Sequence, residues 1–358
     1  MRFLEGGRPM KRLIVVFLTA AMIPALVLGT RLERIDHWKH EQTYWGPISG
    51  SFLDSAGDLI LMFRKSGPVA VSQDKTAAIA PFGQSPDEAT QVFTVCEYRG
   101  DLALFEDVNK IKIFRRTGKT YHGEKTIWLK RDPFLFLLKT ALFVNGRFFL
   151  AGVKILNGPV SAEKVDIANL HVIEEDSSSP GRSIILERGI KFDRRYEIER
   201  FLIPYGNDVL YIKQSEPRIL FISQKTLGVE KTLELKVPDF YKSLPRDFYA
   251  LKNYQGSLSA YLLDLDTWAK SYSAITKAVL YEKNFLLIQM RTCRESPGRF
   301  ALLLYDLEKD GSPEEIVYMD DLLLAERDGR LYCYQNGNPD LDEEADETAI
   351  NIYKLIKK

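Results

Sequence analysis

Short apolar runs broken by polar turns recur along the chain from about residue 57 to its end. Residues 100–118, GDLALFEDVNKIKIFRRTG, show the grammar most clearly. Gly100 and Asp101 turn the chain, 102–105 is apolar, and 106–110 is polar. Ile111 and Ile113 then alternate with Lys112, and Thr117-Gly118 turns the chain out again. Two short strands joined by a polar turn and closed by glycine make an antiparallel hairpin. The same grammar returns at 57–72 (GDLILMFRKSGPVAVS), 146–155, 206–223 and 282–307, and in 328–335 taken with 349–355. Those are six units. Strand-like stretches at 89–98, 134–144, 196–203 and 275–281 precede most of them and are expected to be innermost strands; 121–130 and 231–237 follow as outer ones.

Three- to four-stranded antiparallel units repeated six times predict an all-β, six-bladed β-propeller. A pair of β-sandwiches would also supply many short strands, but it has no reason to repeat one grammar. Helical spacing is confined to 257–280, whose first part predicts a turn or two of helix outside a blade. A single blade cannot bury both of its faces alone, so the ring must join its ends. The C-terminal strand at 349–355 is expected to close it, in a blade shared with an N-terminal strand near residues 41–48.

The first 29 residues stand apart. Lys11 and Arg12 precede an apolar run at 13–29, and the small residues Val27 and Gly29 lie just before polar Thr30 and Arg31. That order predicts an export signal over 1–29, with an uncleaved membrane anchor as the alternative for so long a run. Residues 30–44 then read as a linker and 45–358 as one propeller domain, exported to the periplasm or the cell exterior. Membrane contact is expected only where the leader stays uncleaved.

Charge changes the picture by exclusion. The chain has 49 basic and 49 acidic side chains. The leader takes Arg2, Arg8, Lys11 and Arg12 from the first set and Glu5 from the second, so the remainder is slightly acidic. A nucleic-acid footprint is therefore not expected. Three cysteines, Cys96, Cys293 and Cys333, form no CxxC pair and no disulfide framework. Cys96 and Cys333 sit in apolar strand patterns, as buried small hydrophobes do.

The junction Phe82-Gly83-Gln84-Ser85-Pro86-Asp87-Glu88, followed by 92–97 and the hairpin 100–118, resembles the exported bacterial six-bladed β-propeller proteins related to NHL repeats. The likeness is concentrated in about residues 80–120. Ser85 and Asp87 stand where that family has glycines, and the aromatic expected after Glu88 is missing. The resemblance implies the fold and export, and assigns no reaction.

Candidate chemistry is sparse. His37, His40, His122 and His171 form no zinc pattern, and no metal or other cofactor is expected. The loop 336–347 places oxygen donors at Asn336, Asn338, Asp340, Asp342, Glu344 and Glu347 in the manner of a calcium loop, but Leu341 occupies its sharp-turn glycine position. No nucleophile elbow or phosphate loop occurs. The binding candidates are Phe240, Tyr241, Phe248 and Tyr249 with Arg246, which could stack on sugar rings or grip a peptide, or else pack an inter-blade connection. Arg194 and Arg195 could line the mouth of the central pore. Two functions fit: a binding module that takes a protein, peptide or glycan on its rim loops, or a propeller hydrolase or lyase working at the central channel.

Overall fold

The computed structural model describes residues 30–40, 48–63, 66–107, 110–128, 136–155, 165–175, 181–190, 200–244, 255–293, 298–335 and 348–356. Its strands, in chain order, begin with β1 (Arg31–His40) and fall into six sheets. The first sheet is β2 (Ile48–Leu53), β3 (Leu59–Phe63), β4 (Gly67–Val71) and β5 (Thr76–Ala78). The second is β6 (Thr94–Tyr98), β7 (Asp101–Asp107), β8 (Lys110–Thr117) and β9 (Thr120–Trp128). The third is β10 (Phe136–Val144), β11 (Arg147–Ile155), β12 (Val165–Glu174) and β13 (Arg182–Ile190). The fourth is β14 (Arg200–Tyr205), β15 (Asp208–Lys213), β16 (Arg218–Ser223) and β17 (Val229–Glu234). Helix α1 (Leu258–Lys270) precedes the fifth: β18 (Ile275–Tyr281), β19 (Phe285–Arg291), β20 (Phe300–Asp306) and β21 (Pro313–Met319). The sixth is β22 (Leu322–Arg327), β23 (Arg330–Tyr334), β24 (Thr348–Ile356) and, last in the sheet, β1.

All six sheets are four-stranded antiparallel meanders. Their first strands touch one another in a closed cycle, β2 to β6, β10, β14, β18, β22 and back to β2, so they ring a central axis. This is the six-bladed propeller that the repeated grammar predicts. Middle strands such as LILMF of β3 and RILFIS of β16 are buried almost throughout, because each blade packs a neighbour on both faces and a continuous apolar run satisfies both. Outer strands keep the polar half: PEEIVYM of β21 alternates between half-buried and exposed. Three inner hairpins, at Arg99-Gly100, Asn145-Gly146 and Asp328-Gly329, place both turn residues at positive φ. That conformation suits two-residue turns between twisted strands, and a glycine in the second position removes half the steric cost.

Closure differs from expectation in one respect. The C-terminal strand does share a blade with an N-terminal strand, but the partner is Arg31–His40 rather than a segment near 41–48. Most of the expected linker at 30–44 is thus the outer edge of the sixth blade; 41–47 lies outside the described residues. The strand escapes notice because RLERIDHWKH is largely exposed, with only Trp38 buried, its ring 5.4 Å from Tyr332 in an edge contact. Behind it runs a buried polar chain. His37 Nδ1 lies 2.8 Å from Asn351 Oδ1, Asn351 Nδ2 donates to Asp321 Oδ2 at 2.6 Å, and Tyr353 donates to the same oxygen at 2.7 Å. The largest apolar cluster surrounds this seam and joins the fifth, sixth and first blades through Leu287, Leu302, Leu323, Ile350, Leu59 and Val69. Helix α1, at 13 residues, is longer than expected.

The junction 81–93 is a tightly bonded loop, not the start of an inner strand, which is why β6 begins only at Thr94. Gly83 N donates to Ala89 O and Ala89 N to Pro81 O, each at 3.0 Å. Lys112, nearly buried, donates to the carbonyls of Ser85 and Glu88. Glu106 accepts from the Thr90 amide at 2.8 Å and pairs with Lys110. The acidic break in the hairpin 100–118 is therefore a staple that holds the junction on the second blade. Asp87 accepts from Gly123 N at 2.7 Å, and a Cβ at Gly123 would come within 2.1 Å of Pro86 O.

Two outcomes test this architecture. Deleting 31–40 strips β24 of its partner and exposes Tyr332, so the whole propeller is expected to lose its cooperative thermal transition; an unchanged midpoint would contradict closure by β1. Gly123→Ala is expected to cost about 1–3 kcal/mol in urea unfolding through overpacking against the junction.

Candidate functional site: the basic mouth of the central ring

The meander order sorts the connections onto two rims. One rim carries the turns between first and second strands of each blade and, in all but the sixth, those between third and fourth. These are short and laced together. Arg99 donates to Glu175 at 2.6 Å from the second blade to the third, and Asn145 to Gln224 at 2.6 Å from the third to the fourth. Arg327 of the sixth blade donates to the carbonyls of Asp54 and Ser55 in the first, at 2.9 and 3.1 Å. Asp54 also accepts from Tyr121 of the second blade at 2.6 Å. These bonds tie the first blade to the second and the sixth, and the third to the second and the fourth.

The other rim carries the blade-to-blade connections and the turns between second and third strands. It is where the first strands begin. The charged residues of those strands divide sharply: their N-terminal halves hold Lys139, Arg200 and Lys277 and no carboxylate, while Glu97, Glu326 and Arg327 lie toward the opposite rim. Exposed aromatics collect here as well. Phe82 and Phe93 flank the β5–β6 junction, at 52% and 43% exposure, and Trp128 ends β9 at 67% with Lys110 5.5 Å over its ring.

Lys277 is the most unusual of these groups. It follows a bulge in β18, where Thr276 is squeezed out of the ladder between Ile275 and Lys277. Thr276 bonds the Gln289 side chain at 3.0 Å, and Gln289, fully buried, donates to Asp321 O at 2.8 Å and accepts from Leu323 N at 2.9 Å. This clamp seats β22 against β18. The bulge re-aims Lys277 along the ring. Its ammonium passes β22 and reaches the first blade, donating to Ser51 O at 2.6 Å and Ser51 Oγ at 3.0 Å. Ser51 Oγ in turn donates to Leu324 O at 2.7 Å, so three blades meet on one hydroxyl. Thr140 does similar work by donating to Arg200 O at 2.8 Å. Hydroxyls thereby satisfy carbonyls on the unpaired inner edges of the sheets. Lys277 keeps partial solvent contact although protein atoms crowd it, as befits a narrow channel. That crowding alone lowers its amine to about 8.

The expected site residues fall unevenly. Phe240, 8% exposed, and Tyr241 pack into the apolar cluster between the fourth and fifth blades; Tyr241 donates to Ser215 O at 3.4 Å. Arg246, Phe248, Tyr249, Arg194 and Arg195 lie outside the described residues, as does the loop 336–347. Among the described residues no group of histidine, cysteine or carboxylate side chains is arranged to hold a metal. His171 is buried beside Ser183 at 2.9 Å. Cys96 and Cys333 are buried free thiols, raised well above the ordinary thiol value by desolvation. Lys277 itself gave no signal in sequence, because a lysine in ITKAVLY looks like any solvated strand position. Phe82 lies inside the quoted junction, but exposure is not legible there.

No family model matches the sequence, and no curated protein does. Solved structures are similar in fold. One is a member of the DUF4221 family from Bacteroides vulgatus, with a TM-score of 0.59 and 11% identity over 92% of this chain and 99% of that one. Another, described as a candidate exported protein from Bacteroides fragilis, has a TM-score of 0.54 and 12% identity over 91% of this chain and 96% of that one. At such identities the likeness establishes the fold alone.

The Lys277 amine supplies a test with a definite sign. Its folded value lies below the ordinary lysine value, so between about pH 8 and 10.4 the unfolded chain binds the proton that the folded one has lost, and stability rises with pH. The gain is at most about 3 kcal/mol, reduced by the solvent that reaches the channel. Comparing unfolding free energies at pH 7.5 and 10 (conditions set at roughly either side of that window), the wild type is expected to gain stability relative to Lys277→Met. Parallel pH profiles would refute the buried, uncompensated ammonium.

Proposed function

We propose that the chain is a binding module of the cell envelope, exported by its leader, that takes a protein, peptide or glycan on the connection-bearing rim. The observation that carries this reading is the coincidence on one rim of the half-buried Lys277, the exposed aromatics Phe82, Phe93 and Trp128, and the longer connections. On the opposite rim, hydrogen bonds join four pairs of neighbouring blades. Aromatic faces supply contact area to sugars and peptides, and a basic channel mouth adds direction. Arg194, Arg195, Arg246, Phe248 and Tyr249, which lie outside the described residues, are kept as candidates for the ligand-binding surface. Kinship with NHL-related propellers, resting on residues 80–120, and a periplasmic or extracellular setting accord with this role; the fold neighbour described as a candidate exported protein supports export.

The test is an array of glycans and peptides probed with the pure protein, with general hydrolase substrates in parallel. Binding without turnover is expected. Trp128→Ala and Phe82→Ala should weaken the strongest hit by about tenfold or more while leaving the melting temperature nearly unchanged, since exposed positions contribute little to stability. Turnover of a substrate, or binding indifferent to both substitutions, would overturn the proposal.

A further inference from the structure

We propose that the Lys277 ammonium is an anion subsite which receives one carboxylate group of a ligand entering the basic mouth. The inference rests on the rim-binding reading and adds the chemistry of the ligand to it. An ammonium has three N–H donors. Two are engaged, both by neutral oxygens of Ser51, and the third has no acceptor among the described residues. A cation enclosed by protein is ordinarily matched by a carboxylate, because desolvating it unpaired is costly. Among the described residues no carboxylate pairs with Lys277. The strands against Lys277 are β19, whose facing residue is the neutral Gln289, and β22, whose first four residues carry no charge. The acid just before β22, Asp321, has its Oδ2 committed to Asn351 and Tyr353 on the far side of that strand. On β2 the reaching ammonium meets only serine. The other charges on the N-terminal halves of the inner strands, Lys139 and Arg200, are also positive. An incoming carboxylate would find the ammonium itself and an N–H that no described residue occupies. It would also relieve the uncompensated charge, which couples capture of the anion to the stability of the ring.

A single ammonium suits a monovalent carboxylate. A phosphate dianion ordinarily gathers several cationic or backbone N–H donors. The carboxylate could come from a peptide, at its C-terminus or an acidic side chain, or from a uronic acid in a glycan.

The experiment follows the full chain labelled with carbon-13 at the lysine ε-positions. The Lys277 resonance is the one absent from Lys277→Gln. Acetate, N-acetyl-alanine and glucuronate are the carboxylate probes; N-acetyl-alanine amide, glucose, chloride and inorganic phosphate are the controls. The expected result is a saturable shift of the Lys277 signal with the carboxylates alone. Affinity should be at least about tenfold lower in Lys277→Gln, read by calorimetry, and retained in Lys277→Arg, which keeps the charge. Tighter binding of glucuronate assigns a glycan, and of N-acetyl-alanine a peptide. A signal unmoved by every carboxylate, moved equally by chloride, or moved only by phosphate overturns the subsite. If Lys277→Gln does not fold, full carboxylate response in wild type and Lys277→Arg still supports the inference, and no response in either still overturns it. The two readings fail separately. A hit from the array that binds Lys277→Gln undiminished, with an unmoved lysine signal, removes the subsite and leaves the rim. A carboxylate response without any rim-dependent ligand removes the rim and leaves the subsite.

Discussion

The pairing of Arg31–His40 with Thr348–Ile356 is the constraint on which everything else rests. Each blade presents apolar side chains on both faces, so an open arc would leave the first and last faces wet. Burial across the six seams is mutual, and it is complete only when head and tail share a sheet. The join is made at the outer edge of the sixth blade, where the polar chain from Asp321 through Asn351 to His37 selects the register. A one-residue slip would turn Trp38 to solvent and break that chain at once.

Closing the ring at its outer edge leaves the six inner strands free to differ. Their unpaired edges face the axis, and the molecule satisfies them with Ser51, Thr140 and Lys277 rather than with more strand. The bulges in β2, β10, β18 and β22, all near the starts of these strands, give the latitude for that. The consequence is a polarity along the axis. One end is cinched by Arg99, Asn145 and Arg327 reaching to neighbouring blades; the other begins with cations and carries the longer connections.

Much of this frame was legible in the order of residues. Apolar runs such as LILMF and ALLLY read as strands buried on both faces, and the turn residues at Asn145-Gly146 and Asp328-Gly329 mark hairpins directly. The closing strand was not legible, because an outer edge needs polar side chains and RLERIDHWKH therefore looks like a linker. The segment 89–92 read as inner strand because Ala89 and Val92 are apolar; they are buried in the junction instead. The site was less legible than the fold. Phe240 and Tyr241 advertise themselves by composition, yet they pack between blades. What sets Lys277 apart is a matter of three dimensions: a bulge, a reach across β22, and neighbours that happen to be neutral.

Native-state hydrogen exchange, followed peptide by peptide on the full chain, addresses the closed ring most directly. If head and tail are joined as described, amides of β23 and β24 share the slowest, global opening with the middle strands of the other five blades. Exchange of the sixth blade at a markedly lower opening free energy, with the other blades still protected, would show that the ring does not depend on that join and would contradict the account.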